Sequence, residues 1–166
     1  SGVTSIGGGV SGNGAFKGCT NLESVTIPEG VARIEDCVFY NCQSLKSVKL
    51  PSTVTYIGNS SFYNCEDLES INIPDGVTII QVRAFYNCSS LTEISIPGSV
   101  KSIYNNAFQK CSSLTTARLS VGLTDIGNEA FIDCHNLETV NIPQGVTSIG
   151  NSAFSGCENI TSISIP

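Results

Sequence analysis

Phenylalanine occurs once in every 23 residues of this chain and nowhere else. It stands at Phe16, Phe39, Phe62, Phe85, Phe108, Phe131 and Phe154. A cysteine follows each one, at Cys19, Cys42, Cys65, Cys88, Cys111, Cys134 and Cys157, and of the eight cysteines only Cys37 lies outside the series. The shared stretch is clearest in Ala84-Phe85-Tyr86-Asn87-Cys88-Ser89-Ser90-Leu91. A strict period of this length constrains the fold more than any local propensity. Each copy is one small unit that cannot bury its apolar face alone, so copies must stack on their neighbours. The 166 residues therefore make one solenoid, although their length alone suggests one or two globular domains.

Each part of the unit has a physical reason. Val48 and Leu50 alternate with Ser47 and Lys49, the period of a half-buried strand. The pair recurs as Val25 and Ile27, Ile71 and Ile73, Ile94 and Ile96, Val140 and Ile142, and Ile163 and Ile165, and is weaker at Ala117 and Leu119. Proline ends these strands at Pro28, Pro51, Pro74, Pro97, Pro143 and Pro166, with Ser120 the exception. Its preset φ suits the second position of a turn, and Gly30, Gly76 and Gly145 suit the fourth. A second apolar pair, such as Val54 with Ile57, predicts an extended segment or short second strand. Asp36, Asn59, Asn105, Asn128 and Asn151 then stand where a side-chain oxygen caps a following helical turn. Gly18, Asn41, Asn64, Asn87, Asp133 and Gly156 end that turn, because these residue types tolerate a left-handed backbone; Lys110 breaks the column. One helical turn is unstable alone. Stacked phenylalanines hold it, each contributing about 1.5–3 kcal/mol by burial. Successive strands are parallel neighbours, so a right-handed connection is expected. Stacked at strand spacing, the copies make a rod roughly 35 Å long.

The start is irregular. Gly2-Val3-Thr4-Ser5-Ile6-Gly7 repeats as Gly145-Val146-Thr147-Ser148-Ile149-Gly150. A Gly- and Ser-rich insertion at about 7–14 then separates Ile6 from Phe16 and makes repeat 1–22 irregular.

Composition excludes several functions. Hydrophobic residues at 40% against 13% charged are the reverse of a disordered chain. A net charge of -6 argues against nucleic acid or an anionic membrane as partner. No apolar run approaches the roughly 20 residues of a membrane span, so no membrane insertion is expected. Zinc sites place their cysteines in close pairs, which the ladder lacks. Stacked cysteines would have parallel Cβ vectors, unsuited to disulfides. The expectation is a column of reduced thiols acting as small apolar fillers, with no cofactor and no metal. Cys37 occupies the position of Ser60, Arg83, Asn106, Glu129 and Ser152 and is expected to be exposed. Catalysis is not expected. The sole histidine, His135, adjoins Cys134, which belongs to the buried column and is unsuited to a nucleophile–base pair.

The run Leu68-Glu69-Ser70-Ile71-Asn72-Ile73-Pro74-Asp75-Gly76-Val77, and again residues 137–154, resemble the BspA-like class of leucine-rich repeats. The resemblance covers nearly the whole chain except 7–14, with departures at Ser120, Gln81 and Tyr104. It implies an α/β repeat protein. The implied form is a right-handed leucine-rich-repeat solenoid with a parallel concave β-sheet, a second short strand segment and short helical turns. About seven 23-residue coils are expected. It also implies a surface or secreted protein, extracellular in location, with a role in adhesion to host proteins or neighbouring cells. Neither end carries a capping sequence, so a single domain over 1–166, cut from a longer array, is expected.

Function should lie in the columns that vary. Outward strand positions form a near-constant hydroxyl column, Ser24, Ser47, Ser70, Glu93, Thr116, Thr139 and Ser162. Beside it runs a varied one, Thr26, Lys49, Asn72, Ser95, Arg118, Asn141 and Ser164. The site expected from these is Lys49, Asn72, Glu93, Ser95, Arg118 and Asn141, recognising a protein ligand, with a glycan as the second choice. The alternative is a structural spacer, or a solenoid that self-associates end to end. Tyr40, Tyr63 and Tyr86 form a rival patch, either a contact surface or a mutual stack.

Overall fold

The computed structural model describes residues 2–7 and 13–165. Most of the insertion expected at about 7–14, residues 8–12, lies outside the described residues. The chain is a parallel β-solenoid with two strand faces. One face carries β2 (Ser24–Thr26), β4 (Ser47–Lys49), β6 (Ser70–Ile71), β8 (Glu93–Ile96), β10 (Thr116–Leu119) and β12 (Thr139–Val140). The other carries β1 (Ser5–Ile6), β3 (Arg33–Ile34), β5 (Tyr56–Ile57), β7 (Ile79–Ile80), β9 (Ser102–Ile103), β11 (Asp125–Ile126) and β13 (Ser148–Ile149). Pairing follows the sequence period, with Val48 opposite Ile71 and Arg118 opposite Ser95. At the irregular start the ladder stays in phase, because Ser5 pairs Arg33 and Ile6 pairs Ile34.

Both ladders are interrupted at one junction. The pairing order is β2-β4-β6 and β12-β10-β8 on one face, and β1-β3-β5 and β13-β11-β9-β7 on the other. Gln81 opens the coil after the gap, where Gly58, Gly127 and Gly150 stand in other coils. A Cβ at those glycines would lie within 2.8 Å of the preceding coil's backbone. Tyr104 also carries a side chain there with the ladder intact, so bulk alone does not break the pairing.

The third face corrects the expected helical turns. Ser60, Phe62 and Asn64 donate their N–H groups to the Val82, Ala84 and Tyr86 carbonyls of the next coil, at 3.0, 2.9 and 2.8 Å. The intervening Ser61, Tyr63 and Cys65 donate back three residues within the coil, at 3.3, 3.2 and 3.3 Å. An α-helix needs consecutive amides to point along one axis. Here every second amide leaves for a neighbour, so none of the described residues is helical and the fold is all-β instead of α/β.

Alternation requires two left-handed residues per coil. Asn41, Asn64 and Asn87 (φ 58, 55 and 55) supply one, and Lys110 adopts it as well (φ 61). Cys37, Ser60, Arg83, Asn106, Glu129 and Ser152 supply the second, with φ between 51 and 59. A non-glycine residue there costs about 1–2 kcal/mol. The ladder bonds it permits offset that cost.

Three local expectations also change. The Val54 N–H donates to the Pro51 carbonyl at 3.2 Å, and the same bond recurs at each strand end. Proline is therefore the first residue of the turn, not the second: it lacks an N–H, ends the ladder and accepts the closing bond. The Asn column does not cap its own coil. Asp36 Oδ1 accepts from the Asn59 amide at 2.8 Å, and Asn105 and Asn128 Oδ1 accept from the Asn128 and Asn151 amides at 3.0 and 2.7 Å, each one coil on. About five complete turns are formed, not seven. Phe39, Phe62, Phe85, Phe108 and Phe131 are fully buried, whereas Phe16 is 37% exposed and Phe154 half-buried, because an end copy has one neighbour only.

The core is a set of columns. Successive phenylalanine rings stack at 5.1–5.4 Å between centroids. The thiols are more than fillers. Cys65, Cys88 and Cys111 Sγ each donate at 3.2 Å to the phenylalanine carbonyl of the preceding coil. That carbonyl also accepts its own coil's cysteine amide, as Phe39 does from Cys42 at 3.1 Å. It takes no part in the inter-coil ladder of turn amides, so the thiol satisfies its second lone pair in a buried site. Burial pushes the Cys42 thiol up to about 11 and raises the Cys65 and Cys88 thiols as well. Cys37 is half-buried instead of exposed, and burial raises its pKa too.

Two outcomes follow. Phe85→Ala should cost about 3–5 kcal/mol in denaturant unfolding; a loss below about 1 kcal/mol would refute the column as the core. Folded thiols also keep their protons to a higher pH than the ordinary 9.0. Stability is then complete below that value and falls as pH rises through it, by about 1.4 kcal/mol per pH unit per buried thiol. A denaturation midpoint unchanged between about pH 8 and about pH 11 would contradict the buried, protonated thiol column.

Candidate recognition face

Strand alternation places the expected site residues outward. In β4, Val48 and the following Leu50 turn inward while Ser47 and Lys49 are exposed. Register then aligns Thr26 with Lys49, and Ser95 with Arg118. Asn72 and Asn141 directly follow β6 and β12 at the same outward position. All six expected residues, Lys49, Asn72, Glu93, Ser95, Arg118 and Asn141, are exposed on this one face.

The structure does not gather them into one pocket. The gap between β6 and β8 leaves Lys49 and Asn72 in one block and the other four in the next. In the second block Arg118 donates to Glu93 Oε2 at 2.6 Å, with both side chains about 60% exposed. Two of the expected contact residues thus neutralise each other when no partner is present. In the first block a groove of about 570 Å³ runs over the strands. Ser24, Thr26, Ser47, Lys49, Ser70 and Asn72 line it, above Val48 and Ile71. Ser24, Thr26, Ser47 and Ser70 were not among the expected site residues. For Ser24, Ser47 and Ser70 the near-constancy of their hydroxyl column was the signal that marks them, and Thr26 heads the varied column that continues with Lys49 and Asn72.

Other candidate chemistry separates in space. Cys134 is buried and its thiol donates to the Phe108 carbonyl at 3.1 Å. His135 is exposed and its Nδ1–H donates to the Gly156 carbonyl at 3.0 Å. They form no nucleophile–base pair. Among the described residues, no three His, Cys, Asp or Glu side chains gather to hold a metal ion. The three tyrosines stack on one another, Tyr40 on Tyr63 at 4.6 Å and Tyr63 on Tyr86 at 4.5 Å.

The chain matches the model of the BspA type leucine rich repeat region, in six copies over residues 10–125 and 78–166. A leucine rich repeat protein of T. pallidum is 34% identical with a TM-score of 0.85, over 89% of this chain and 69% of that one. A leucine-rich repeat protein from Bacteroides ovatus is 26% identical (TM-score 0.68), over 98% of this chain and 53% of that one. A leucine rich cell surface protein from Faecalibacterium prausnitzii is 29% identical (TM-score 0.60), over 92% of this chain and 56% of that one. The chain thus spans little more than half the length of the last two. No curated protein matches it.

The exposed Arg118–Glu93 pair should contribute little to folding. Glu93→Gln is expected to change stability by less than about 1 kcal/mol in thermal unfolding. A larger loss would make the pair structural and unsuited to recognition.

Proposed function

The chain belongs to the BspA-type leucine-rich repeat family, and on that premise we propose that it is a non-enzymatic binding module whose partner docks on the face of β2, β4, β6, β8, β10 and β12. The carrying observation is the contrast between columns on this face. Inward positions are uniformly apolar and buried, from Val48 to Val140. The adjoining outward positions change in charge and size from Thr26 through Lys49, Asn72, Ser95 and Arg118 to Asn141. The core needs none of that variety, so it is available for recognition. A repeat scaffold holds such a row rigidly, which lowers the ordering cost of binding.

The partner of this reading is a protein on a host or neighbouring cell, and the location is extracellular or at the cell surface. In its support, one similar solved protein is described as a cell surface protein. Lys49 and Arg118 would be the charged contacts, with Arg118 exchanging Glu93 for a partner carboxylate. The test is capture from extracellular-matrix and serum proteins by the intact chain. Lys49→Glu with Arg118→Glu should weaken capture at least about tenfold, because a like charge facing a complementary partner costs several kcal/mol. Undiminished capture would refute the face. Failure of the unaltered chain to capture anything would favour a spacer.

A further inference from the structure

The tyrosine strip lies on the turn face, apart from the strands of the proposed recognition face. Tyr40, Tyr63 and Tyr86 stack nearly parallel, with interplanar angles of 2° and 4°. Stacking covers the electron-rich ring faces. The two outer faces are also covered, by the Lys17 ammonium 5.0 Å from the Tyr40 centroid and by Lys110 at 5.9 Å from that of Tyr86. Each ring is nevertheless only half-buried. What remains accessible is the ring edge, the positive end of the aromatic quadrupole, together with the phenol hydroxyl, a donor.

Cations reinforce that polarity. Arg83 stands one tight turn before Tyr86, whose N–H donates to the Arg83 carbonyl at 3.2 Å, and its side chain is exposed. Among the described residues, neither Arg83 nor Lys110 is in an ion pair, and Asp133, next in the Lys110 column, does not reach it. Three of the eight cations of a chain with net charge -6 therefore gather on this strip. Local charge, not net charge, decides what a surface attracts at contact range.

We propose that this strip is a second binding site, taking an anionic polysaccharide laid along the rod, whose sulfate or carboxylate oxygens meet the phenol edges, Arg83 and Lys110. Spacing favours a polysaccharide over an acidic peptide. The tyrosine rings repeat at 4.5–4.6 Å between centroids. An extended peptide presents same-face side chains about 6.8 Å apart, out of step with the rings. A sulfated sugar chain carries several anionic oxygens per unit and can meet each ring in turn. The ring faces are closed, so neutral sugars gain no stacking and are not ligands of this site.

The test uses the whole chain and dextran sulfate, with neutral dextran, poly-glutamate and duplex DNA as comparison probes. With no tryptophan in the chain, tyrosine emission reports binding directly. The variants are Arg83→Asn with Lys110→Asn, and Lys49→Asn on the other face. Asn106 and Asn87 already hold the left-handed conformation in the same two columns, so the double variant keeps the fold. Dextran sulfate should bind with an affinity that falls as salt rises. The double variant should bind at least about tenfold more weakly and Lys49→Asn within about twofold of the unaltered chain. The proposal is overturned if dextran sulfate does not bind, if the double variant binds unchanged, or if Lys49→Asn loses as much. Tighter binding of poly-glutamate or DNA would assign the strip to that class of partner instead.

Discussion

The structure depends on hydrogen bonds donated from one coil to the next along the turn face. Ser60, Phe62 and Asn64 give their amides to the following coil, and each coil repeats the pattern. This requirement breaks up the helix that Ala-Phe and its flanking residues would otherwise begin. It puts two residues per coil in the left-handed region. It also leaves the phenylalanine carbonyl outside the ladder, where a neighbouring thiol reaches it. Phenylalanine stacking, thiol donation and the Asn column all act across the same boundary between coils. Stability is therefore a property of pairs of coils and not of single ones.

Whatever that boundary does not use is free to vary. The inward columns are held to Val, Ile, Leu, Phe, Cys and Ala because each side chain sits between its own copies. Outward residues touch solvent and tolerate Lys49, Asn72 or Arg118 equally. One rod thus carries two polar surfaces of different character. The strand face has a hydroxyl-lined groove in its first block and a self-neutralised Arg118–Glu93 pair in its second. The turn face has aromatic edges flanked by Arg83 and Lys110, neither of which is in an ion pair among the described residues. The interrupted pairing after β5 and β6 divides the strand face, while the phenylalanine and tyrosine stacks run across the same junction unbroken.

Much of this was legible in the residues. The period, both strand positions, the phenylalanine and leucine columns and one left-handed column follow from spacing and residue type, because stacked copies must place like on like. Six outward residues were also legible as one face, since strand alternation is a local rule. The second left-handed column was not. Cys37, Arg83 and Glu129 carry no local mark of that conformation, which the neighbouring coil imposes. Nor was the mutual pairing of Arg118 with Glu93, which depends on rotamers chosen across two strands.

The sequence by itself determined that this chain stacks as a 23-residue solenoid and which side chains fill it, because a repeated apolar pattern has no other way to be buried. Only the tertiary structure decided that the turns are not helices, that the Asn side chains and thiols bond between coils, and that the ladders pause after β5 and β6. Each of those outcomes turns on where a backbone amide or side-chain donor finds its acceptor. That acceptor lies one coil away, at a distance and angle that no single repeat contains.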